Sequence, residues 1–414
     1  MGRRSRRGAA GLAARVGAEC GARGLLGGPL AVAVSGGVDS MTLMHLLVAL
    51  GESPTVISLD HGIRPESADE VRFVGEAAAG LGLDFVSGAL EVRGGSDLSA
   101  RARAARYGFL DRWLAEHPGT AVALAHHRDD QAETVLDRLI RGAGAGGLSG
   151  MGWRRGRYIR PLLGEPRAAL EAWARSAGVR WVEDPSNTKG TRGRLRFEVL
   201  PLLADVRAGA AAAIARTASL LAEDEALLRS LAAPLLAEDG VSLPQWVAAP
   251  GPLRRRAVLA LVAATRGPSA PPSAAQIDAA LGLESPGRAV ALSGGWRLVA
   301  DGERLRCLPP RPGPAALTVG DWGLWWVASD APVTVRAPRP GERLGGAPLG
   351  ERLRAAGVSA ALRPYHPVIQ RAERIWVPGV WRSPGEKAPV SGRVIAGRRP
   401  SASWSGGGPY TQAL

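Results

Sequence analysis

Apolar residues in the first half of the chain form short unbroken runs, separated by stretches with a three- and four-residue period. Leu30-Ala31-Val32-Ala33-Val34, Thr55-Val56-Ile57-Ser58-Leu59, the stretch near Asp84-Phe85-Val86 and Ala121-Val122-Ala123-Leu124 are β-rich and do not alternate. Such runs predict parallel strands buried on both faces. Between them Met41, Leu43, Leu46, Leu47 and Leu50 recur at helical spacing, and a second helix is expected from about Ser67 to Leu81. A third, from about Leu98 to Trp113, is expected to bury Leu98, Ala102, Ala105, Phe109 and Trp113. Strand and helix alternate from about 30 to 190, which predicts an α/β fold with an N-terminal doubly wound, mostly parallel sheet. From about 207 to 285 alanine and leucine take a helical period, interrupted by prolines. Strand-like runs follow at 289–292, 296–299 and 374–377, with a short helix carrying Arg352 and Arg354. The expected organisation is a basic arm and short helix (1–27), a catalytic α/β domain (28–206), a mainly helical domain (207–312), a small α+β domain (313–400) and a disordered Gly/Ser-rich tail (401–414).

Chemistry concentrates where the expected strands end. The first is followed by Ser35-Gly36-Gly37-Val38-Asp39-Ser40 and then by a helix. Strand, glycine turn and helix present free backbone N–H groups to an anion. Gly36 and Gly37 let the backbone approach phosphate oxygens, and Ser35 and Ser40 add hydroxyls. Asp39 would repel bare phosphate, so it fits best with a divalent cation between it and a nucleotide. With no Gly-Lys-Ser/Thr ending, this is not a Walker A loop. The bland reading is a plain strand-to-helix turn.

The second strand runs into Asp60-His61-Gly62-Ile63-Arg64 and the fourth into His126-His127-Arg128-Asp129-Asp130-Gln131-Ala132-Glu133. In open α/β sheets ligands sit beyond the carboxyl ends of the strands, which puts Asp60, His61 and Arg64 beside the loop. Asp129 is expected as a helix N-cap. Asp130, Glu133 and Asp137 then share one helical face. Magnesium with ATP suits these acids better than zinc on His127, Asp130 and Glu133. Arg103 and Arg106 lie three apart on a helix, either as a solvated face or as contacts to a phosphate or carboxylate. Arg141-Gly142-Ala143-Gly144-Ala145-Gly146-Gly147 matches a dinucleotide fingerprint by letter only, because it follows a helix; it is expected to be a flexible, substrate-facing loop. Alternating Arg192, Arg194 and Arg196, after an Asp184–Asn187 turn, suit a nucleic-acid backbone or a solvated linker.

Charge narrows the partner class. The formal net charge of the 414-residue chain is +14, which favours a polyanion. Lys189 and Lys387 are the only lysines, so arginine richness can reflect base composition and the charge excess carries the signal. The two cysteines, Cys20 and Cys307, form neither a disulfide framework nor a zinc spacing. The basic opening lacks an apolar export segment and no run is long enough to span a membrane, so the cytoplasm is the expected compartment.

Together Ser35–Ser40, Asp60–Arg64, Ala102–Tyr107, His126–Met151 and Asp184–Asn187 resemble the bacterial tRNA(Ile)-lysidine synthetases, which belong with the ATP pyrophosphatases. A looser match covers Val335–Leu344 and Ile375–Gly379. The resemblance implies that ATP adenylates the wobble cytidine of an isoleucine tRNA with a CAU anticodon. Free L-lysine then attacks, releasing AMP and leaving lysidine. It further implies that Ser35, Gly36, Gly37, Val38, Asp39, Ser40, Asp60 and His61 hold ATP, and that Asp39 holds Mg2+. Asp130 and Glu133 would bind the lysine ammonium or act as base, and Arg103 and Arg106 would hold phosphate or developing charge. His127, Arg141, Arg192, Arg194 and Arg196 are the expected contacts to tRNA or substrate. The expected partners are this tRNA, free L-lysine and a second copy of the chain. The chain departs from the family's usual Arg-Asn after the turn, since Gly193 follows Arg192. Rival readings are another RNA-modifying enzyme with this loop, such as a thiolase, and a non-catalytic, ATP-responsive RNA-binding protein. A thiolase would need catalytic or cluster-binding cysteines, and Cys20 and Cys307 are not suitably placed; the binding protein would not be expected to keep Asp39, Asp129 and Asp130.

Overall fold

The computed structural model describes residues 2–60, 62, 67–90, 98–183, 190–237, 240–267, 270–311, 313, 315–322, 325–358, 360, 362–371, 374–378, 380–382 and 395–398. His61, Ile63, Arg64, the Asp184–Asn187 turn and the tail lie outside the described residues. The chain divides into two compact units, Met1–Glu225 and Ala226–Leu414.

The first unit begins with α1 (Gly2–Ala22), β1 (Leu30–Ala33), α2 (Val38–Ala49), β2 (Thr55–Asp60), α3 (Ser67–Gly80), β3 (Phe85–Ala89), α4 (Leu98–Glu116) and β4 (Ala121–Ala123). It continues with α5 (Arg128–Ile140), α6 (Ala145–Leu148), β5 (Arg154–Arg155), β6 (Tyr158–Ile159) and α7 (Arg167–Ser176). A helical run closes it: α8 (Gly190–Arg194), a π turn (Leu195–Val199), α9 (Leu200–Val206) and α10 (Ala210–Ala232), whose end crosses into the second unit.

The sheet order is β3-β2-β1-β4-β6-β5. All neighbours are parallel except β5 and β6. Strand order reverses between β1 and β4, and such a switch point opens a crevice at the carboxyl ends of both strands. The doubly wound sheet expected from the unbroken apolar runs is present. Ala31, Val32, Val56, Ile57, Val122 and Ala123 are buried, as two covered faces require.

Three local expectations differ. Leu12, Val16 and Cys20 of α1 are buried in the core that holds β1 and α2, so residues beyond the basic opening are a core helix. On α4 the expected Ala102 and Trp113 are buried, as are Leu110 and Leu114, while the expected Ala105 and Phe109 are half-buried. The Phe109 ring packs against Gly88 of the edge strand β3, where a Cβ would stand 2.4 Å from its Cε2. The pairing of β6 with β4 was not expected, because two-residue strands leave no periodicity to read.

In the second unit an antiparallel sheet runs in the order 236–237, 240–242, 304–308, 297–301, 289–291. The helices Leu243–Ala248, Gly251–Arg266 and Ala274–Leu281 share its core, around Trp246, Val258 and Leu298. A separate antiparallel sheet is built on the long hairpin Ala315–Trp322 and Trp325–Arg336. The short helix Leu349–Ala355 does carry Arg352 and Arg354.

Candidate active site

The Ser35–Ser40 segment turns from β1 into α2, and its shape follows from its glycines. Gly36 takes φ +83, where an L side chain would be strained. Gly37 occupies the N-cap of α2 without a side-chain cap, which leaves the helix N–H groups open. Ser40 turns inward: its Oγ donates to Gly37 O at 3.0 Å and accepts from Ser35 N at 3.2 Å. Val182 N donates to Gly36 O at 2.9 Å, which pins the loop to the segment after α7. Asp39 sits in the first turn of α2, next to the positive end of the helix.

From β4 the chain enters α5 through His126 and His127. The N-cap of α5 is His127, in place of the expected Asp129. Its Nδ1 accepts from Asp130 N at 3.4 Å, and Asp130 Oδ2 accepts from His127 N at 3.0 Å, a reciprocal cap. Asp129 instead accepts from Arg167 N at 3.1 Å and so caps α7 from outside. The acceptor role of Nδ1 leaves the proton of the neutral ring on Nε2. Nε2 lies 3.6 Å from Asp39 Oδ2 and 3.3 Å from Asp130 Oδ2. Burial alone would lower the pKa of His127, but Asp130 and Asp39 outweigh it and hold it above the ordinary value. At His126 the compensation falls short. Burial, with Arg160, Arg103 and Arg192 nearby, pushes it down to about 4, against the pull of Asp130.

Arg196 bridges the two acids of α5. Its Nη2 lies 2.6 Å from Asp130 Oδ1 and its Nε 2.5 Å from Glu133 Oε1. Burial would raise both acids; His127 and Arg196 together hold Asp130 below its ordinary value, while Glu133 stays above its own despite Arg196. Arg192 donates to Thr134 Oγ1 at 3.2 Å. Arg194 points away, 73% exposed, and pairs with Glu198 at 3.1 Å. Helix geometry accounts for the division. Residues 192 and 196 are four apart on one helical face, and 194 lies across from them.

The remaining expected residues spread over the same rim. Asp60 accepts from Gly62 N at 2.7 Å and from the Ser67 hydroxyl, which fixes the start of α3. Arg106 faces the cavity described below, and burial lowers its pKa. Arg103 is exposed and lies 5.1 Å over the Tyr107 ring. Arg141 pairs with Asp137 at 2.9 Å on the surface. The glycine-rich loop it borders is firmly tied. Gln131 exchanges two hydrogen bonds with the Met151 backbone, at 2.9 and 2.7 Å, and Arg138 donates to Gly147 O and Gly150 O at 2.7 and 2.8 Å.

A cavity of about 510 Å³ lies at the switch point. Its apolar side is formed by Ala33, Ile57, Leu59 and Leu124, and its polar side by Ser35, Asp39, Ser40, His126 and Arg196. An apolar slot next to an anion-binding loop can take a flat heterocycle with a phosphate tail. Asp39 Oδ1 is buried without a hydrogen-bond partner, and the loop beside it is built for phosphate. One carboxylate together with substrate phosphates is a donor set that suits Mg2+. Among the described residues no group of three or more His, Cys, Asp or Glu is arranged to hold a metal. Between Asp130 and Glu133 the cation is Arg196.

Three further cavity residues, Arg167, Glu171 and Arg175, belong to no motif legible in the sequence. Arg167 Nε is 3.5 Å from Glu171 Oε1, and Arg175 Nη2 is 3.2 Å from Glu171 Oε2. Their spacing of four reads as an ordinary solvated ladder, and only its end at a Pro-initiated helix next to a basic strand could have drawn notice.

A PP-loop domain family matches residues 26–203. A tRNA(Ile)-lysidine synthase of Geobacter sulfurreducens is 44% identical over 218 residues, which cover 50% of this chain and 46% of the relative. One of Thermus thermophilus is 37% identical over 380 residues, covering 87% of this chain and 70% of the relative. One of Ruegeria pomeroyi is 38% identical over 318 residues, covering 72% and 76%.

Proposed function

The chain belongs to the tRNA(Ile)-lysidine synthase family, and from that premise we propose that it is an ATP-dependent ligase forming a carbon–nitrogen bond on tRNA. ATP activates the wobble cytidine of an isoleucine tRNA with a CAU anticodon as an adenylate. The ε-amine of free L-lysine displaces AMP, and lysidine results. The observation that carries this reading is that the Ser35–Ser40 loop, His126 and Arg196 line one cavity, with Arg196 held by Asp130 and Glu133 and with His127 lying between Asp39 and Asp130.

The open N–H groups of Gly37 and its neighbours receive the phosphates, and the apolar slot receives adenine. Asp39, with its unpartnered oxygen, would hold Mg2+, which neutralises phosphate charge when bound. His126, kept neutral by its surroundings, orients groups by hydrogen bonding and adds no charge to the slot. Glu133 and Asp130 are held on opposite sides of their ordinary values, an arrangement that separates a proton acceptor from a fixed anion. We assign Glu133 to receiving the proton of the incoming amine and Asp130 to binding its ammonium form, with Arg196 yielding one acid when the amine enters. Arg103 and Arg106 are proposed to hold phosphate or the developing charge. Arg141, Arg192 and Arg194 are proposed to meet tRNA, His127 positions Asp39 and Asp130, and a homodimer in the cytoplasm is the proposed state.

Purified protein incubated with ATP, magnesium, labelled lysine and a CAU-bearing isoleucine tRNA transcript should yield a lysine-adduct cytidine on nucleoside mass analysis. Asp39→Ala should lower the rate about a hundredfold or more with folding intact, the scale on which loss of a charge-stabilising group acts. If ATP is cleaved without an adduct, the chemistry of the loop stands and the substrate fails. If ATP is untouched, a binding protein is the better reading.

A further inference from the structure

Arg167 opens α7 beside the phosphate loop, and its guanidinium makes poor use of its surroundings. Its Nε makes no hydrogen bond; Asp39 Oδ1 is 3.7 Å away and Glu171 Oε1 3.5 Å. Asp39 Oδ1 has no hydrogen-bond partner either, nor does His127 Nε2, on a ring whose side chain is 1% exposed. These three polar atoms come from α2, α5 and α7, and they meet without satisfying one another. Buried groups left in this way are costly unless a ligand completes them.

The position of Arg167 is set from behind. Asp129 Oδ2 accepts from its backbone N at 3.1 Å. Glu165, two residues earlier, receives both Nε and Nη2 of Arg15 at 3.0 and 2.7 Å, and its carbonyl accepts from Arg128 N at 2.9 Å. These contacts from α1 and α5 fix the backbone at the start of α7, from which the guanidinium reaches the lining of the cavity with 36% of the side chain exposed. A planar guanidinium held in this way matches the fork geometry of phosphate oxygens.

We infer that Arg167 is a phosphate-binding residue of this site, gripping the terminal phosphates of ATP and then the released pyrophosphate. The inference rests on the proposed function and names a residue that the sequence motifs do not contain. Glu171 is its internal counter-ion, which holds the guanidinium near the loop until phosphate replaces it. No bond is made or broken by Arg167; it exchanges two weak carboxylate contacts for phosphate contacts.

The test measures binding directly. The full chain and its Arg167→Gln, Arg167→Lys and Glu171→Gln variants are titrated with magnesium pyrophosphate and, separately, with AMP, in a calorimeter. Circular dichroism checks each fold. Arg167→Gln should weaken pyrophosphate about ten- to a hundredfold and leave AMP within about twofold, as expected when one charge-assisted contact is lost. Arg167→Lys should recover part of the loss, because it keeps the charge without the fork. Glu171→Gln should tighten pyrophosphate binding. Unchanged pyrophosphate affinity in both Arg167 variants overturns the inference. So does an equal loss for AMP and pyrophosphate, which marks a displaced helix. Lysidine formation by the parent chain, assayed alongside, separates the two readings. An active parent with pyrophosphate-insensitive Arg167 variants rejects only Arg167, whereas a parent that leaves ATP untouched rejects the proposed function as well.

Discussion

Arg336 and Glu342 face each other with hydrogen bonds of 3.0 and 2.6 Å, and each side chain is only 10% exposed. Glu342 also accepts from Arg339 N at 2.8 Å, so its carboxylate is nearly saturated. The Arg336 hydrogen bond, against the opposing effect of burial, holds the Glu342 pKa below its ordinary value. The sequence Val335–Leu344 resembled a family segment without a visible purpose; the structure gives it one, a buried ion pair closing a turn between a strand and a short hairpin. Removing one partner of such a pair leaves the other charge buried, at a cost of about 3 kcal/mol. Glu342→Ala should therefore lower denaturant stability by about that amount at pH 7. The linkage has a definite sign. Because the folded pKa is depressed, the contribution is full above the unfolded value of about 4.3 and is lost as pH falls through the lower folded value. The gap between parent and variant in urea unfolding should close between about pH 4.3 and the strongly acid range. A gap that persists unchanged there would mean that packing and not charge is what the pair supplies.

At the scale of elements, α5 does two jobs from two faces. Asp130 and Glu133 hold Arg196, which lines the cavity, and Gln131 and Arg138 hold the loop 141–151. Gly150 stands at φ +67 against this anchor, and a Cβ there would come within 2.6 Å of Gln131 Oε1. Gly150→Ala should break the Gln131–Met151 exchange and cost about 2 kcal/mol, the sum of a strained backbone and a lost buried pair. Adding Gln131→Ala should cost little more, because both changes remove the same anchor, and unfolding of the double variant measures that coupling. Glycine composition signals freedom and predicts a flexible loop, but Gln131 and Arg138 act from nine to twenty residues away and leave no local trace. The same limit applies elsewhere. β1, β2 and β4 were legible because a strand covered on both faces must be uniformly apolar. The Ser35–Ser40 loop was legible because its chemistry is contiguous. Arg192, Arg194 and Arg196 read as alternation, yet α8 and the π turn place 192 and 196 on one side and 194 on the other. His127 took the cap from Asp129 because α7, almost forty residues on, claims the Asp129 carboxylate. Arg167 was missed because its neighbours Asp39 and Asp129 are distant in sequence.

For the molecule as a whole, the open question is how much of the +14 charge serves tRNA and how much is arginine bias. Many of the arginines are already spent internally: Arg157 on the carbonyls at the end of α4, Arg138 on the glycine loop, Arg254 on carbonyls around a helix start. Only charge that releases counter-ions from a nucleic acid contributes to salt dependence, by a slope of about 0.7–0.9 per phosphate contacted. Arg194 is exposed and its single partner, Glu198, is itself 55% exposed, so it remains available. Arg196 is neutralised by two carboxylates. Affinity for isoleucine tRNA should therefore fall steeply with salt, and Arg194→Gln should reduce the log–log slope by about 1. Arg196→Gln should leave the slope nearly unchanged while depressing turnover, since it frees Asp130 and Glu133 without removing a surface charge. Filter binding over about 50–200 mM salt reads both. A parent slope near zero would assign the basic excess to composition and leave tRNA to be gripped by shape. A slope lost equally in both variants would show that Arg196 leaves its acids when tRNA binds, so that docking of the polyanion and opening of the acidic pair are one event.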